Sequence, residues 1–462
     1  MKTLTVIAAV AACSAFAAPT APTAKPVQRT LAALEASTAE RPAHVRMLFY
    51  GQSIVAQRWH TNVVAELKWR YPTAVLEVEN RAIGGFTSPD LIRTAESDLY
   101  PYYPDILFFH VYGPTDKYED IVRKARETTT AEIVLWTSHL NKHESRSREA
   151  IEKMLGNPDS RSKKILEIAE RYGCLAIDLR SKWCRMMLDD NLKDADLLKD
   201  GIHMRTDGPA LGSYAKFISE ELVRIPGDKG DASFSGTIVE IPVTDRRVKR
   251  RADGSLVLKF SGNRVVAVSD GRGSGECRVT LDSRAPADFS EMYYYTRPST
   301  LVSWMPMVKH VDIAPGVKPV IEDWTLTYID GTEPFGNPVH YKVEGSVTGF
   351  DGEGWNTNDF RSVSGRALIS TNDFHTWQYG YFVQKQGRKD KDSKPGQKVT
   401  WSVRPLYADP YAAAPAGART ALVQNCANGA HTLVVKPAKG GKCGIGSFVV
   451  YSPADPAKWR GK

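Results

Sequence analysis

Apolar and polar positions along the chain follow two rhythms, and the change falls near Gly227. From His44 to about Arg224, strand-like runs alternate with helix-length stretches. The runs predict strands over His44–Gly51, Ala74–Ile83, Asp105–Gly113, Ala131–His139 and Cys174–Leu179. Several are near-continuous apolar runs, the pattern of parallel strands buried on both faces. Between them, Val55, Trp59, Val63 and Leu67 recur at helical spacing, which predicts a helix over Val55–Arg70. Further helices are predicted over Pro89–Leu99, Tyr118–Thr128, Arg148–Leu155 and Ser162–Tyr172, with Gly208–Arg224 closing the half. A βα alternation of this kind predicts an α/β fold, a parallel sheet between two helix layers, over residues 44–226.

After Gly227 the segments become short and alternating. Strands are predicted at Gly236–Val243, Leu256–Phe260, Val265–Ser269, Arg278–Asp282, Thr325–Tyr328, Tyr341–Val347, Val399–Val403, His431–Val435 and Ser447–Tyr451. Turn dipeptides such as Asp253-Gly254, Asp330-Gly331 and Asp351-Gly352 punctuate them. Residues 227–462 therefore read as an all-β sandwich region, jelly-roll-like, of one or two units. The charged stretch Arg388–Lys398 reads as a solvated loop, and no fixed-period repeat is present.

The first 18 residues read as an export signal. Lys2 gives the positive start, Thr3 to Ala12 a short apolar run, and Ala15-Phe16-Ala17 a small-x-small cleavage site. Val10-Ala11-Ala12-Cys13 fits a second reading, a lipoprotein site that would leave Cys13 lipid-anchored. Either way the expected location is outside the cytoplasm: periplasmic, secreted or on the cell surface. Residues 19–43 read as a tether and N-terminal segment, and no later apolar run is long enough to be a transmembrane segment. The net charge of +8 is dispersed, with no basic arm, which disfavours a nucleic-acid partner and leaves an acidic glycan or anionic surface open. Removal of the signal leaves Cys174, Cys184, Cys277, Cys426 and Cys443, and spacing favours Cys426–Cys443 as a pair. No CxxC or Cys/His cluster suggests a metal, and no cofactor is called for.

Candidate chemistry sits at the strand ends, where parallel sheets bind their ligands. Gly51-Gln52-Ser53 places a hydroxyl at the joint between the first strand and the first helix. Ser53 reads there either as a helix cap or as a nucleophile. A serine nucleophile needs a base, and Asp200-Gly201-Ile202-His203 follows the fifth strand, with carboxylate and imidazole three residues apart.

On these residues the chain resembles the SGNH (GDSL-type) hydrolases, including carbohydrate acetylesterases. The first block is Gly51-Gln52-Ser53, the second Asn80-Arg81-Ala82-Ile83-Gly84-Gly85, and the last Asp200-Gly201-Ile202-His203. The resemblance covers about residues 44–224 and implies a flavodoxin-like sheet. It also implies Ser53 as nucleophile, His203 as base, Asp200 as its orienting carboxylate, and the N–H groups of Ser53 and Gly85 as an oxyanion hole. Where the family has Gly-x-Asn-Asp, this chain has Gly113-Pro114-Thr115-Asp116. Thr115 takes the asparagine position, with Tyr112 and His110 as other stand-ins, and loss of such a donor costs ~3–4 kcal/mol of transition-state stabilisation. Gln52, His110 and Tyr112 are candidate substrate-binding residues. Against these stand plainer readings: His110 as a core histidine, His139 and His143 as surface residues or cleft lining, and Asp116 as a helix cap.

The second half is rich in aromatics, among them Tyr293, Tyr294, Tyr295, Trp304, Trp324, Trp355, Trp377, Tyr379 and Tyr381. Most read as core. Trp355, in a Gly-rich segment read as a loop, is the candidate sugar platform. The expected function is an exported serine ester hydrolase removing O-acetyl groups from a polysaccharide or glycan. The rivals are a lipase or general carboxylesterase, separable by chain-length preference, and a non-catalytic glycan-binding surface protein.

Overall fold

The computed structural model describes residues 25–299, 305–331, 338–375 and 395–459. The signal segment, Cys13, Trp304, Trp377, Tyr379, Tyr381 and most of Arg388–Lys398 lie outside the described residues.

The first half runs α1 (Gln28–Glu35), β1 (His44–Gly51), α2 (Ser53–Ala56), α3 (Trp59–Arg70), β2 (Val75–Asn80), α4 (Ser88–Asp98), β3 (Ile106–His110), α5 (Thr115–Thr128), β4 (Glu132–Trp136), α6 (Arg148–Met154), α7 (Ser160–Arg171), β5 (Leu175–Ile177), α8 (Leu179–Asp189), α9 (Asp194–Leu197) and α10 (Ala210–Ser219). The five strands are parallel in the order β2-β1-β3-β4-β5, the flavodoxin-like order. Every residue of β3 and β4 is buried, which is why both are apolar except for His110 at the end of one and Glu132 at the start of the other. One helix layer puts Trp59, Val63 and Leu67 of α3 into a core with Trp136, Trp183 and Tyr214. The other packs α4, α5 and α7 on the opposite sheet face.

Three details depart from the sequence pattern. The predicted helix Val55–Arg70 is broken at Gln57, whose backbone is extended and whose amide bonds Met204 in both directions, at 2.8 and 3.1 Å. Helix α8 was not predicted. It starts on the Asp178 carboxylate, which accepts from the N–H of Ser181 at 3.1 Å. Helix α1, also not predicted, lies in the N-terminal segment and buries Leu31 and Leu34 in the core.

The second half runs β6 (Thr237–Pro242), β7 (Val248–Arg250), β8 (Leu256–Ser269), β9 (Glu276–Leu281), β10 (Tyr293–Tyr295), β11 (Asp323–Gly331), β12 (Val339–Gly345), β13 (Gly349–Trp355), β14 (Phe360–Arg361), β15 (Leu368–Ile369), β16 (Lys398–Pro405), β17 (Tyr411–Ala412), β18 (Arg419–Pro437) and β19 (Ile445–Ser452). Among the described residues these form a two-stranded sheet, β14-β15, and two large antiparallel ones. One has seven strands and the core of Leu258, Val265, Leu433 and Phe448; the other has five, β10-β16-β11-β12-β13, and the core of Trp324, Tyr341 and Trp401. The five-stranded sheet is inserted in the chain between β9 and β17 of the other. The two short strands predicted over 256–269 are one long strand. Trp355 is not in a loop but ends β13, 38% exposed, and its ring lies flat against His340 at 4.5 Å. The expected Cys426–Cys443 pair is absent and all five described cysteines are free. Cys443 instead contacts the Cys277 thiol, while Cys426 points at the carbonyl of Gly262.

The two halves share their packing. Met305, Ala454 and Trp459 enter the core beneath α4, α5 and α7. Helix α4 is held along its length by charges from the β half. Asp90 faces Lys309 at 3.3 Å and His375 at 3.9 Å, Arg93 is forked by Asp373 at 2.8 Å and reaches Asp312 at 2.9 Å, and Asp98 meets Arg297 at 2.7 Å. Asp373 is 1% exposed, so Arg93 is its counter-charge in a dry setting. Arg93→Ala should therefore lower the unfolding free energy in urea by ~2 kcal/mol, and Asp373→Asn added to it should recover part of that loss, because a buried charge without its partner costs more than the absent pair.

Candidate active site

Strands β1 and β3 bring the site together. Gly51 is paired with His110 in register. A Cβ at Gly51 would lie 2.0 Å from the His110 carbonyl oxygen and 2.6 Å from Val55 Cγ2, so only glycine fits. The chain then turns at once into α2. Gln52 caps it: its Oε1 accepts the N–H of Ile54, and its Nε2 approaches Nδ1 of His110 at 3.3 Å. An amide nitrogen only donates, so His110 Nδ1 accepts and its proton sits on Nε2, which bonds Ser138 Oγ at 3.0 Å. His110 is fully buried and stacks on Trp136 at 5.5 Å. Burial, reinforced by the Arg161 charge, holds its imidazole well below the ordinary histidine range, so it is neutral.

This corrects two expectations. Gln52 and His110 do not face a ligand: one is 2% and the other 0% exposed, with both ends of each side chain engaged. They brace the turn that carries Ser53. The plainer reading of His110, a satisfied core histidine, is the one its surroundings match. Tyr112 is half-buried, edge-on to His110 at 5.3 Å, with its hydroxyl in contact with Ser138.

Ser53 is the first residue of α2, and its Oγ lies 2.8 Å from His203 Nε2. His203 Nδ1 donates to Asp200 Oδ2, also at 2.8 Å. The other carboxylate oxygen accepts the backbone N–H groups of Ile202 at 3.1 Å and His203 at 2.8 Å. Partial burial works against the charge on Asp200, but the bonds from His203 and Ile202 outweigh it and bring its pKa down to about 2. An ionised Asp200 can only accept, which fixes the proton on Nδ1 and leaves the Nε2 lone pair for the Ser53 hydroxyl. Because the folded-state value lies below the ordinary 3.8, this interaction contributes stability above that pH and loses it as pH falls through about 2.

The loop carrying Asp200 and His203 is exposed and is held from outside. Gln57 bonds Met204, the Lys142 N–H donates to the Gly201 carbonyl at 2.9 Å, and His139 Nε2 donates to the Ile202 carbonyl at 2.8 Å. His139 is 2% exposed, not a surface residue, and burial lowers its pKa to about 4. Sequence reading missed Gln57 and His139 as anchors; the one signal for Gln57 was the proline-free helical pattern it interrupts, which gave no warning.

On the facing side, the Ile83 N–H donates to the Gly51 carbonyl at 2.9 Å, drawing the Gly84-Gly85 turn to the end of β1. Gly85 has φ +83°, a left-handed conformation that favours glycine. Among the described residues, no backbone acceptor takes the N–H of Ser53 or of Gly85. Thr115 is the first residue of α5, and its hydroxyl makes no hydrogen bond among the described residues. Asp116 follows it in that helix's first turn and does not cap it. Trp355 belongs to the inserted sheet and is not part of this cluster.

The first half is thus a flavodoxin-like α/β unit with Ser53, His203 and Asp200 hydrogen-bonded in line at the carboxyl ends of its strands. No protein-family model matches the chain, and no curated protein matches it. Solved structures similar to it include an acetyl xylan esterase from Geobacillus stearothermophilus, at 21% identity and TM-score 0.33 over 39% of this chain and 96% of that one. Another is a two-domain esterase active on acetylated mannans, at 11% identity and TM-score 0.35 over 93% and 95% of the two chains. A third is a GDSL-like lipase from Parabacteroides merdae, at 16% identity and TM-score 0.33 over 38% and 95%.

Gly51→Ala should cost about 3 kcal/mol in urea unfolding, since the added methyl meets a backbone carbonyl that cannot give way. A stability loss within error of zero would show that the β1–β3 approach is looser than its geometry.

Proposed function

We propose that this chain is a serine ester hydrolase that acts outside the cytoplasm and removes O-acetyl groups from a polysaccharide or glycan. The observation that carries the ester-hydrolase reading is the unbroken relay Ser53 Oγ–His203 Nε2, His203 Nδ1–Asp200 Oδ2, each step 2.8 Å. Ser53 attacks the ester carbonyl while His203 takes its proton. Asp200 stabilises the imidazolium. The oxyanion is met by the backbone N–H groups of Ser53 and Gly85. Collapse expels the sugar oxygen, which His203 protonates, and water then cleaves the acyl-enzyme with His203 again as base. The acetylated-glycan part of the reading rests on the sequence resemblance, on the export signal, and on the aromatic, carboxylate-rich face around Trp355, His340 and Glu353. Acetate release across a panel of acetylated polysaccharides, against fatty-acyl esters of rising chain length, separates this reading from a lipase.

Ser53→Ala should reduce aryl acetate hydrolysis at least ~10⁴-fold with unchanged urea unfolding. A folded variant that keeps its rate would eliminate the serine mechanism.

The rate should fall on the acid side through one protonation, and that limb belongs to His203. His110 and His139 are both held neutral by burial, and Asp200 stays ionised to about pH 2. The pH profile of kcat/KM for His203→Ala should have lost the limb together with most of the rate.

Thr115→Ala should change the rate less than tenfold, because a rotatable, unbonded hydroxyl is a poorly organised donor; a loss near ~10²-fold, the size of a deleted oxyanion donor, would make Thr115 the missing third donor.

A further inference from the structure

Far from Ser53, at the amino ends of the parallel strands, the two halves of the molecule enclose a cavity of about 530 Å³. Arg264 of β8 lines it and is 6% exposed. Its guanidinium is sandwiched between the rings of Tyr103 and Tyr451, at 4.8 and 4.6 Å from their centroids. Among the described residues it makes no hydrogen bond and no ion pair, and its Nε and Nη1 are buried without an acceptor. A buried guanidinium without an oxygen partner is rare, because an unpaired charge out of water is costly and aromatic faces offset only part of that cost.

The neighbouring charges do not supply the partner. Arg46 and Arg419 line the same cavity, against the carboxylates of Glu77 and Asp105. Glu77 is spent on Arg46, at 3.1 Å, and Asp105 accepts the backbone N–H of Arg46 at 2.8 Å. Arg419 is exposed and touches only the Tyr451 hydroxyl, at 3.5 Å. His44, at the rim, has its pKa lowered by burial and by the Arg419 charge, as expected where the local field is positive. Three cations thus face a polar, accessible space with one carboxylate already committed and the other engaged by backbone.

We infer that this cavity is an oxyanion site, taking a carboxylate or phosphate group between Arg264 and Arg419 and so joining the α/β half to the seven-stranded sheet. Tyr103 precedes β3, and Tyr451 belongs to β19, so an anion on Arg264 completes a contact made by both halves. The site is independent of the ester chemistry.

Thermal unfolding of the full chain tests it. Sodium chloride is replaced stepwise, at constant ionic strength, by sodium phosphate or by sodium glucuronate. The expected result is a saturable rise in Tm of about 3 °C or more with at least one of them. Which one identifies the source, inorganic phosphate or a sugar carboxylate. Arg419→Gln, on the surface, should move the half-saturation point at least ~10-fold higher without changing Tm in chloride. Arg264→Met should abolish the rise and, in chloride alone, unfold no earlier than the parent, since it removes an uncompensated buried charge. A rise no greater than chloride gives would overturn the site. So would a rise that persists unchanged in Arg264→Met, which is the general stabilisation by an excluded salt. If Arg264→Met does not fold, an unshifted half-saturation point in Arg419→Gln overturns it instead.

Discussion

The turn that carries Ser53 depends on one close backbone approach, that of Gly51 to the carbonyl of His110. Because β1 and β3 run side by side up to that pair, the chain leaving β1 has no room for a side chain and turns immediately. The next residue, Gln52, is thereby directed inward onto His110, and the one after it, Ser53, outward. Each further contact follows from that alternation. Gln52 closes the first turn of α2 with one end and fixes the His110 tautomer with the other. The Ile83 N–H finds the Gly51 carbonyl and brings the Gly84-Gly85 turn beside Ser53.

The opposite wall of the site is built on another principle. Asp200 and His203 lie in an exposed loop, where burial contributes little and water competes for every hydrogen bond. Their geometry is set by backbone anchors instead: Gln57 on Met204, His139 on Ile202, Lys142 on Gly201. The three histidines near the site behave differently because their surroundings do. His110 and His139 are stripped of water and kept neutral, so each can serve as a fixed hydrogen-bonding strut. His203 instead keeps contact with solvent and with the Asp200 carboxylate.

Much of this was legible in the sequence, and the part that was not has a common cause. The parallel strands were readable because burial on both faces leaves a continuous apolar signature, and the placement of Ser53 and Asp200-x-x-His203 followed from the strand ends. What failed were features decided by partners distant in sequence. Gln57 breaks a helix because Met204 lies opposite it. Gln52 and His110 looked like polar groups awaiting a ligand, whereas each is the other's partner across adjacent strands. Strand β13, Gly349–Trp355, carries three glycines and an unremarkable pattern, and is a strand only because β12 pairs with it. The Cys426–Cys443 pairing followed sequence spacing, while the sheet sets Cys443 beside Cys277.

The same dependence on distant partners bears on what the β half is for. Helix α4 begins just beyond the Gly84-Gly85 turn, and Phe86 between them packs on His375 at 4.9 Å. Among the described residues, every charged contact along α4 to the β half comes from residues 297–375, the inserted five-stranded unit and its loops, and none from the seven-stranded sheet. The seven-stranded sheet meets the α/β half elsewhere, through Tyr103, Asn263 and Arg264 at the amino ends of the strands. The inserted unit therefore follows α4 from Asp90 in its first turn to Asp98 at its end. An inserted unit that braces the helix after Gly85 also bears on the turn before it, so the carboxyl end of the α/β half is shaped by residues that sequence order would assign to another domain.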